Sequence, residues 1–239
     1  ICLALFMSLN IAVSALVARR KGEGDREGAN RVLTQAIVLT LLFTVVITAL
    51  AFVLADPILR LAGTNEDTHE SAAIYFRIIS AGMGFNVVSM VINAAQRGAG
   101  NTKIAMRTNL VSNGVNIVFN YLLIEGRFGF PRLGVAGAAV ATVIGTMVAL
   151  GMSVLSVMHP DGFLHLQFQR ARFRLEKSTL ATIANIGSSS LAEQLFLRFG
   201  FLTYTMIVAR LGTTAFAAHQ VGMNVITISF AIGDGLSVA

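Results

Sequence analysis

The chain has 239 residues, of which 55% are hydrophobic and 13% charged, with a formal net charge of +6. A soluble domain carries roughly a quarter charged residues, so this chain could not cover itself with polar side chains in water. Lipid is the solvent its composition fits, and its single cysteine, Cys2, excludes an internal disulfide or a cysteine-based metal cage.

Seven apolar runs are expected to cross a membrane: Ile1–Ala18, Val32–Ala55, Ser71–Ala95, Ile104–Ile124, Leu133–Met158, Leu180–Ala209 and Thr214–Ala239. The second has 24 residues without a charge, enough at about 1.5 Å per residue to cross an apolar slab of about 30 Å. The fold class is therefore all-α and polytopic. The chain starts without Met inside the first run and stops inside the last, as expected of an internal piece of a longer protein. Pro57, Pro131 and Pro160 all fall between runs, which predicts helix interiors free of proline.

Alternate connections differ in charge. One set receives Arg19, Arg20, Lys21, Arg26, Arg31, Arg97, Lys103, Arg107, Arg170, Arg172, Arg174 and Lys177, twelve cations against five in the other set, which are Arg60, Arg77, Arg127, Arg132 and Arg210. The positive-inside rule places the twelve in the cytoplasm. The basic charge is thus a topology signal, and no nucleic-acid partner is needed to explain it. The stretch from His159 to Ser178 is the longest polar connection. Its arginines suit a cytoplasmic loop or surface helix drawn to anionic lipid headgroups.

A shift of 224 positions sets Phe6 on Phe230, Asn10 on Asp234 and Ala15 on Ala239. This is the trace expected of a parallel repeat with a period of six helices.

No catalytic constellation is visible, and no enzyme is expected. His69, His159 and His165 fall in loops, and His219 has no second ligand at helical spacing for a metal. Gly22, Gly24 and Gly28 have the wrong spacing for a dinucleotide fingerprint, and no strand precedes them. No cofactor is expected.

The fourth run carries Asn109, Asn113, Asn116 and Asn120, spaced so that they share one helical face. Amides are unfavourable against lipid. They act either as interhelical glue, at about 0.6–2 kcal/mol per contact, or as the wall of a hydrated cavity whose oxygens can meet a cation. Asn116 and Asn120 suit either role, Asn109 and Asn113 the first.

Glu193 lies about 20 Å along its helix from the basic end, where a carboxylate costs at least about 2.5 kcal/mol to insert. It is either half of a structural ion pair or a protonatable group in a cavity. Arg198 lies about 140° further round the helix and is no natural partner. Asp234, between Gly233 and Gly235, is the other intramembrane acid; it serves either helix packing and gating or transport.

Four stretches, in order, are similar to the multidrug and toxic compound extrusion (MATE) family. Leu16-Val17-Ala18-Arg19 resembles the end of that family's second helix, and Gln96-Arg97-Gly98-Ala99-Gly100-Asn101-Thr102-Lys103 its arginine-glycine loop. Asn116-Ile117-Val118-Phe119-Asn120, Glu125-Gly126, Pro131 and the run Leu133 to Thr142 resemble its fifth and sixth helices. Leu211-Gly212-Thr213-Thr214-Ala215-Phe216-Ala217-Ala218-His219-Gln220 resembles the start of its eighth. Asn120 stands where many members have an acid, Asn101 where the loop carries Asp, and Ser189 where Pro is common.

The resemblance implies a twelve-helix transporter with two six-helix lobes. Residues 1–158 would form most of the first lobe, 159–178 the connection and 179–239 the start of the second. It implies export of drugs or organic cations in exchange for Na⁺ or H⁺ by a monomer in a bacterial or archaeal inner membrane. Glu193, Asn116, Asn120, Thr142 and Asp234 are the expected substrate or coupling residues, with Na⁺ at Asn116 and Asn120. A flippase for lipid-linked oligosaccharides and a non-transporting membrane scaffold are the alternatives.

Overall fold

A computed structural model describes residues 2–61, 66–158, 162–165, 177–209 and 212–238. Seven α-helices account for almost all of them: α1 (Cys2–Gly22), α2 (Arg26–Leu61), α3 (Glu66–Gly98), α4 (Thr102–Glu125), α5 (Gly134–Met158), α6 (Lys177–Ala209) and α7 (Thr213–Val238). Among the described residues there is no β-strand. Three of the helices, over Arg26–Ala55, Glu70–Gly98 and Gly134–Met158, are long and apolar enough to cross a membrane.

Local chemistry sets the helix ends. At the start of α2 the Gly28 amide donates to Asp25 Oδ1 at 2.8 Å, and a Cβ on Gly28 would collide with that carboxylate. The glycine-rich stretch is therefore a helix cap. At the other end of the bundle, α4 stops at Gly126, whose φ of 71° is open to glycine and costly for other residues, and its amide closes on Leu122 O. A short 3-10 turn (Arg127–Gly129) and Pro131 then separate α4 from α5, as expected. The Glu125 carboxylate, and after it the Tyr121 phenol, hold the Arg127 guanidinium above its ordinary pKa on this exposed corner.

Two sequence expectations are corrected. Pro57 lies inside α2, because the helix runs on past Ala55 to Leu61. The amide it lacks would have bonded the carbonyl of Val53, on the solvent- or lipid-exposed side of the helix, so the helix carries the proline near its end. His69, expected in a loop, falls in the first turn of α3.

Packing runs through small residues, as in membrane bundles, where backbones must approach closely. A Cβ on Gly98 of α3 would strike the Ser14 carbonyl oxygen of α1, and one on Gly82 of α3 would strike Val143 of α5. On Gly137 of α5 it would lie 2.6 Å from the Leu123 carbonyl oxygen of α4, and on Gly145 3.0 Å from that of Ser112. The apolar core joins α1, α2 and α3 at their basic ends, around Val13, Val17, Leu33 and Ile92, and takes in Val157, Leu164 and Ile183. Through α1, the helix α6 joins this cluster. The opposite face of α2 leaves Leu42, Val45 and Val53 exposed, an apolar surface that suits lipid.

Residues Gly162–His165, beyond α5, lie against the α1–α2 corner. Arg26 donates to the carbonyls of Gly162 and Phe163, and the His165 amide donates to Asn30 Oδ1 at 2.9 Å. Leu164 between them is buried. The rest of the connection, including His159 and the arginines of 170–174, lies outside the described residues.

Candidate functional site

Three groups of polar side chains bear on a site. The first is the asparagine stripe of α4. Asn109 and Asn113 are exposed, whereas Asn116 and Asn120 are half-buried against α5. Gly145 lets the two helices close here, and Ser112 Oγ donates to its carbonyl at 2.8 Å. Asn120 Nδ2 donates to Asn116 Oδ1 at 2.9 Å, Asn116 Nδ2 to Thr142 Oγ1 at 3.2 Å, and Thr142 Oγ1 to Ala138 O at 2.9 Å. The donors run in one direction, so Asn120 Oδ1 is left buried with no hydrogen-bond partner. Such an orphan normally costs about 1–3 kcal/mol, and buried oxygens of Asn10, Thr40 and Thr108 are in the same state; water, an ion or a function can use such an atom. Amide and hydroxyl oxygens are ligands for a hard cation. Of the three side-chain oxygens here, those of Asn116 and Thr142 already accept hydrogen bonds, and an amide has no proton to release.

The second group centres on Glu193. It lines an open-sided cavity of about 640 Å³ on α6, with Phe196, Leu197, Gly200, Phe201 and Tyr204. These positions repeat at helical spacing, so one face of α6 carries a carboxylate followed by three rings. Glu193 is exposed here, on the face of α6 that all the lining residues share. Among the described residues it forms no ion pair, and Arg198 is exposed on the same helix. The helices α4 and α6 do not pack extensively, so the asparagine pair and Glu193 are separate sites. The side chain of Asp234 lies outside the described residues; its backbone is part of α7.

The third group was missed by sequence reasoning. Ser89, Asn93 and Gln96 of α3 are buried against α5. Ser89 and Ser153 share a hydrogen bond of 2.9 Å, Ser153 Oγ donates to Asn93 Oδ1 at 3.3 Å, and Gln96 Nε2 donates to Ser156 Oγ at 3.0 Å. Their spacing of four and three on α3 was the signal, and it was readable. The network is satisfied internally, which suits a structural role.

Apolar helices joined through glycine contacts, with polar side chains turned inward, define a polytopic α-helical membrane protein. The MatE family model matches residues 1–122. A probable multidrug resistance protein NorM of Thermotoga maritima is 30% identical over 244 residues, taking in 98% of this chain and 50% of its own length. The NorM of Rhizobium meliloti is 29% identical, over 95% of this chain and 49% of its own. Among solved structures, MATE in the bent conformation superposes with a TM-score of 0.85 at 27% identity, over 95% of this chain and 50% of that one. A MOP superfamily transporter from Pyrococcus furiosus, described as having reverse polarity of its binding pocket, gives 0.83 at 25% identity, over 95% and 49%. The chain belongs to the MatE family. It spans about half the length of these relatives.

Proposed function

We propose that this chain is the part of a multidrug exporter that carries its cation-coupling residues and one wall of its drug cavity. The observation that carries the reading is the α6 face, where Glu193 is the one carboxylate in a lining otherwise made of rings, Leu197 and Gly200. Such a lining suits amphipathic organic cations, since rings attract cations over their faces and a carboxylate beside them neutralises the charge. The relatives named as multidrug resistance proteins support it.

Coupling works through competition for negative or oxygen-bearing sites. A cationic drug and the coupling cation compete for the Glu193 carboxylate. Na⁺ takes Asn116, Asn120 and Thr142, where the free Asn120 oxygen waits for a partner. Residues 1–158 belong to one lobe, 159–178 to the connection and 179–239 to the second lobe, and rocking of the lobes alternates access. The protein works as a monomer in a multi-pass inner-membrane location, with lipid and small amphipathic substrates as its partners. A lipid-linked oligosaccharide flippase would be expected to line its cavity with cations, and the α6 lining has none.

The test is ethidium efflux from vesicles carrying the protein, under separately imposed Na⁺ and pH gradients. Glu193→Gln keeps the shape and removes the charge. Loss of efflux for cationic drugs with normal membrane expression is expected; full retention of it would defeat the reading.

A further inference from the structure

One end of the α6 lining is met from behind by a residue of α7. Tyr204, at the far end of the lining from Glu193, meets the imidazole of His219 on α7. The ring centroids are 4.9 Å apart and the planes stand at 76°, an edge-to-face contact. His219 is itself tilted against Phe216, one turn earlier on α7, with centroids 6.5 Å apart. At the start of α7, Gly212 has a φ of 106° and its carbonyl accepts from the Phe216 amide at 3.0 Å.

Among the described residues, His219 is the one ring that touches Tyr204, and the phenol has no hydrogen-bond partner there. Tyr204 is 52% exposed, so packing alone does not fix its ring. An edge-to-face pair does: it is favoured over other ring geometries because the positive edge of one ring meets the negative face of the other. The imidazole has no contact with the cavity itself. Its role is therefore to orient the ring that does.

Distance gives this contact its meaning. Glu193 and Tyr204 are three turns apart on one face of α6, about 16 Å along the axis. Phe196, Leu197, Gly200 and Phe201 lie between them. A compact cation paired with Glu193 stops short of Tyr204, whereas an extended one reaches it. We infer that His219 is a positioning residue that holds the Tyr204 ring at the far end of the cavity, so that the site favours cations carrying an aromatic group about 16 Å from the charge that pairs with Glu193. This rests on the reading of the α6 face as the drug site.

The experiment uses two probes, each a trimethylammonium head joined to a naphthyl ring. One has a short alkyl spacer that ends near Phe196, and the other a long spacer that reaches Tyr204. Binding to the purified protein and transport into vesicles are measured for wild type, His219→Ala, His219→Phe and Glu193→Gln. His219→Ala is expected to raise the ratio of KM for the long probe over the short one by about three- to tenfold, the size of one aromatic contact. His219→Phe is expected to restore that ratio, because a ring edge is what Tyr204 needs. An unchanged ratio in His219→Ala, or no rescue by His219→Phe in a normally folded protein, overturns the inference while loss of both probes in Glu193→Gln keeps the drug site. If wild type binds neither probe, or Glu193→Gln binds both as before, the drug-site reading itself falls, and this inference with it.

Discussion

Replacing Asn120 by Leu separates an ion site from structural glue, because only the ion site makes the loss depend on sodium. The substitution removes one hydrogen bond, the 2.9 Å contact from Nδ2 to Asn116 Oδ1. That loss costs about 0.5–1.5 kcal/mol. It also removes the buried oxygen that has no partner, which returns about 1–3 kcal/mol. The remaining bond from Asn116 to Thr142 stays intact. The substitution also takes the donor from Asn116 Oδ1, which costs the same about 1–3 kcal/mol again, so without Na⁺ the variant should be less stable than wild type by about 0.5–1.5 kcal/mol, the lost hydrogen bond alone. Sodium widens the gap. A ligand at a hundred times its Kd stabilises the folded state by about 2.7 kcal/mol. For a chain of this size that is about 5–10 °C in Tm. Wild type should gain this shift on exchanging choline chloride for sodium chloride, and Asn120→Leu should not. Asn113→Leu, at an exposed position of the same face, should keep the sodium shift. The assay is thermal unfolding of the purified protein in detergent, at constant ionic strength. A wild-type Tm that ignores sodium, together with a lower Tm for Asn120→Leu in both salts, would refute the ion site and leave the amides as glue.

Three further outcomes follow from the packing. Gly98→Ala drives a methyl group into the Ser14 carbonyl of α1 and should cost about 1–3 kcal/mol by overpacking, measured as a lower Tm; no change would mean that α1 and α3 can part freely. A double-mutant cycle of Asn93→Leu and Ser153→Ala should return a coupling of about 0.6–1.7 kcal/mol, read from denaturant unfolding, and additivity of the two would show that their 3.3 Å contact carries nothing. Asn30→Ala frees the His165 amide and should speed its hydrogen exchange by about tenfold, the equivalent of one hydrogen bond; exchange as slow as in wild type would place its protection elsewhere.

What could be read from the sequence was periodicity. The face shared by Asn116 and Asn120, the break at Gly126 and Pro131, and the lipid-facing run of α2 all follow from local spacing or turn chemistry. Partnership between helices was harder to read. The pairing of Ser89, Asn93 and Gln96 with Ser153 and Ser156 depends on which face of α3 meets α5, and that is decided by Gly82 letting Val143 approach. Pro57 was misplaced because charge and proline together mark a helix end only statistically, and α2 needed just a few more residues to contain it. Glu193 was expected to face a cavity, and which helices stand across from it is set by their packing, which one helix cannot reveal.

The contact between α3 and α5 also has a cost in time. Asn93 and its partner Ser153 are 60 residues apart in the chain, as are Gln96 and Ser156. At about 5–20 residues per second of synthesis, α3 exists for about 3–12 s before the helix that satisfies its amides is made. An unpaired amide in hydrocarbon costs several kcal/mol. During that interval α3 is best kept at the insertion machinery, or beside water, and released to lipid together with α4 and α5 as one set. The sequence distance between α3 and α5 thus sets how long the α3 amides wait for their partners.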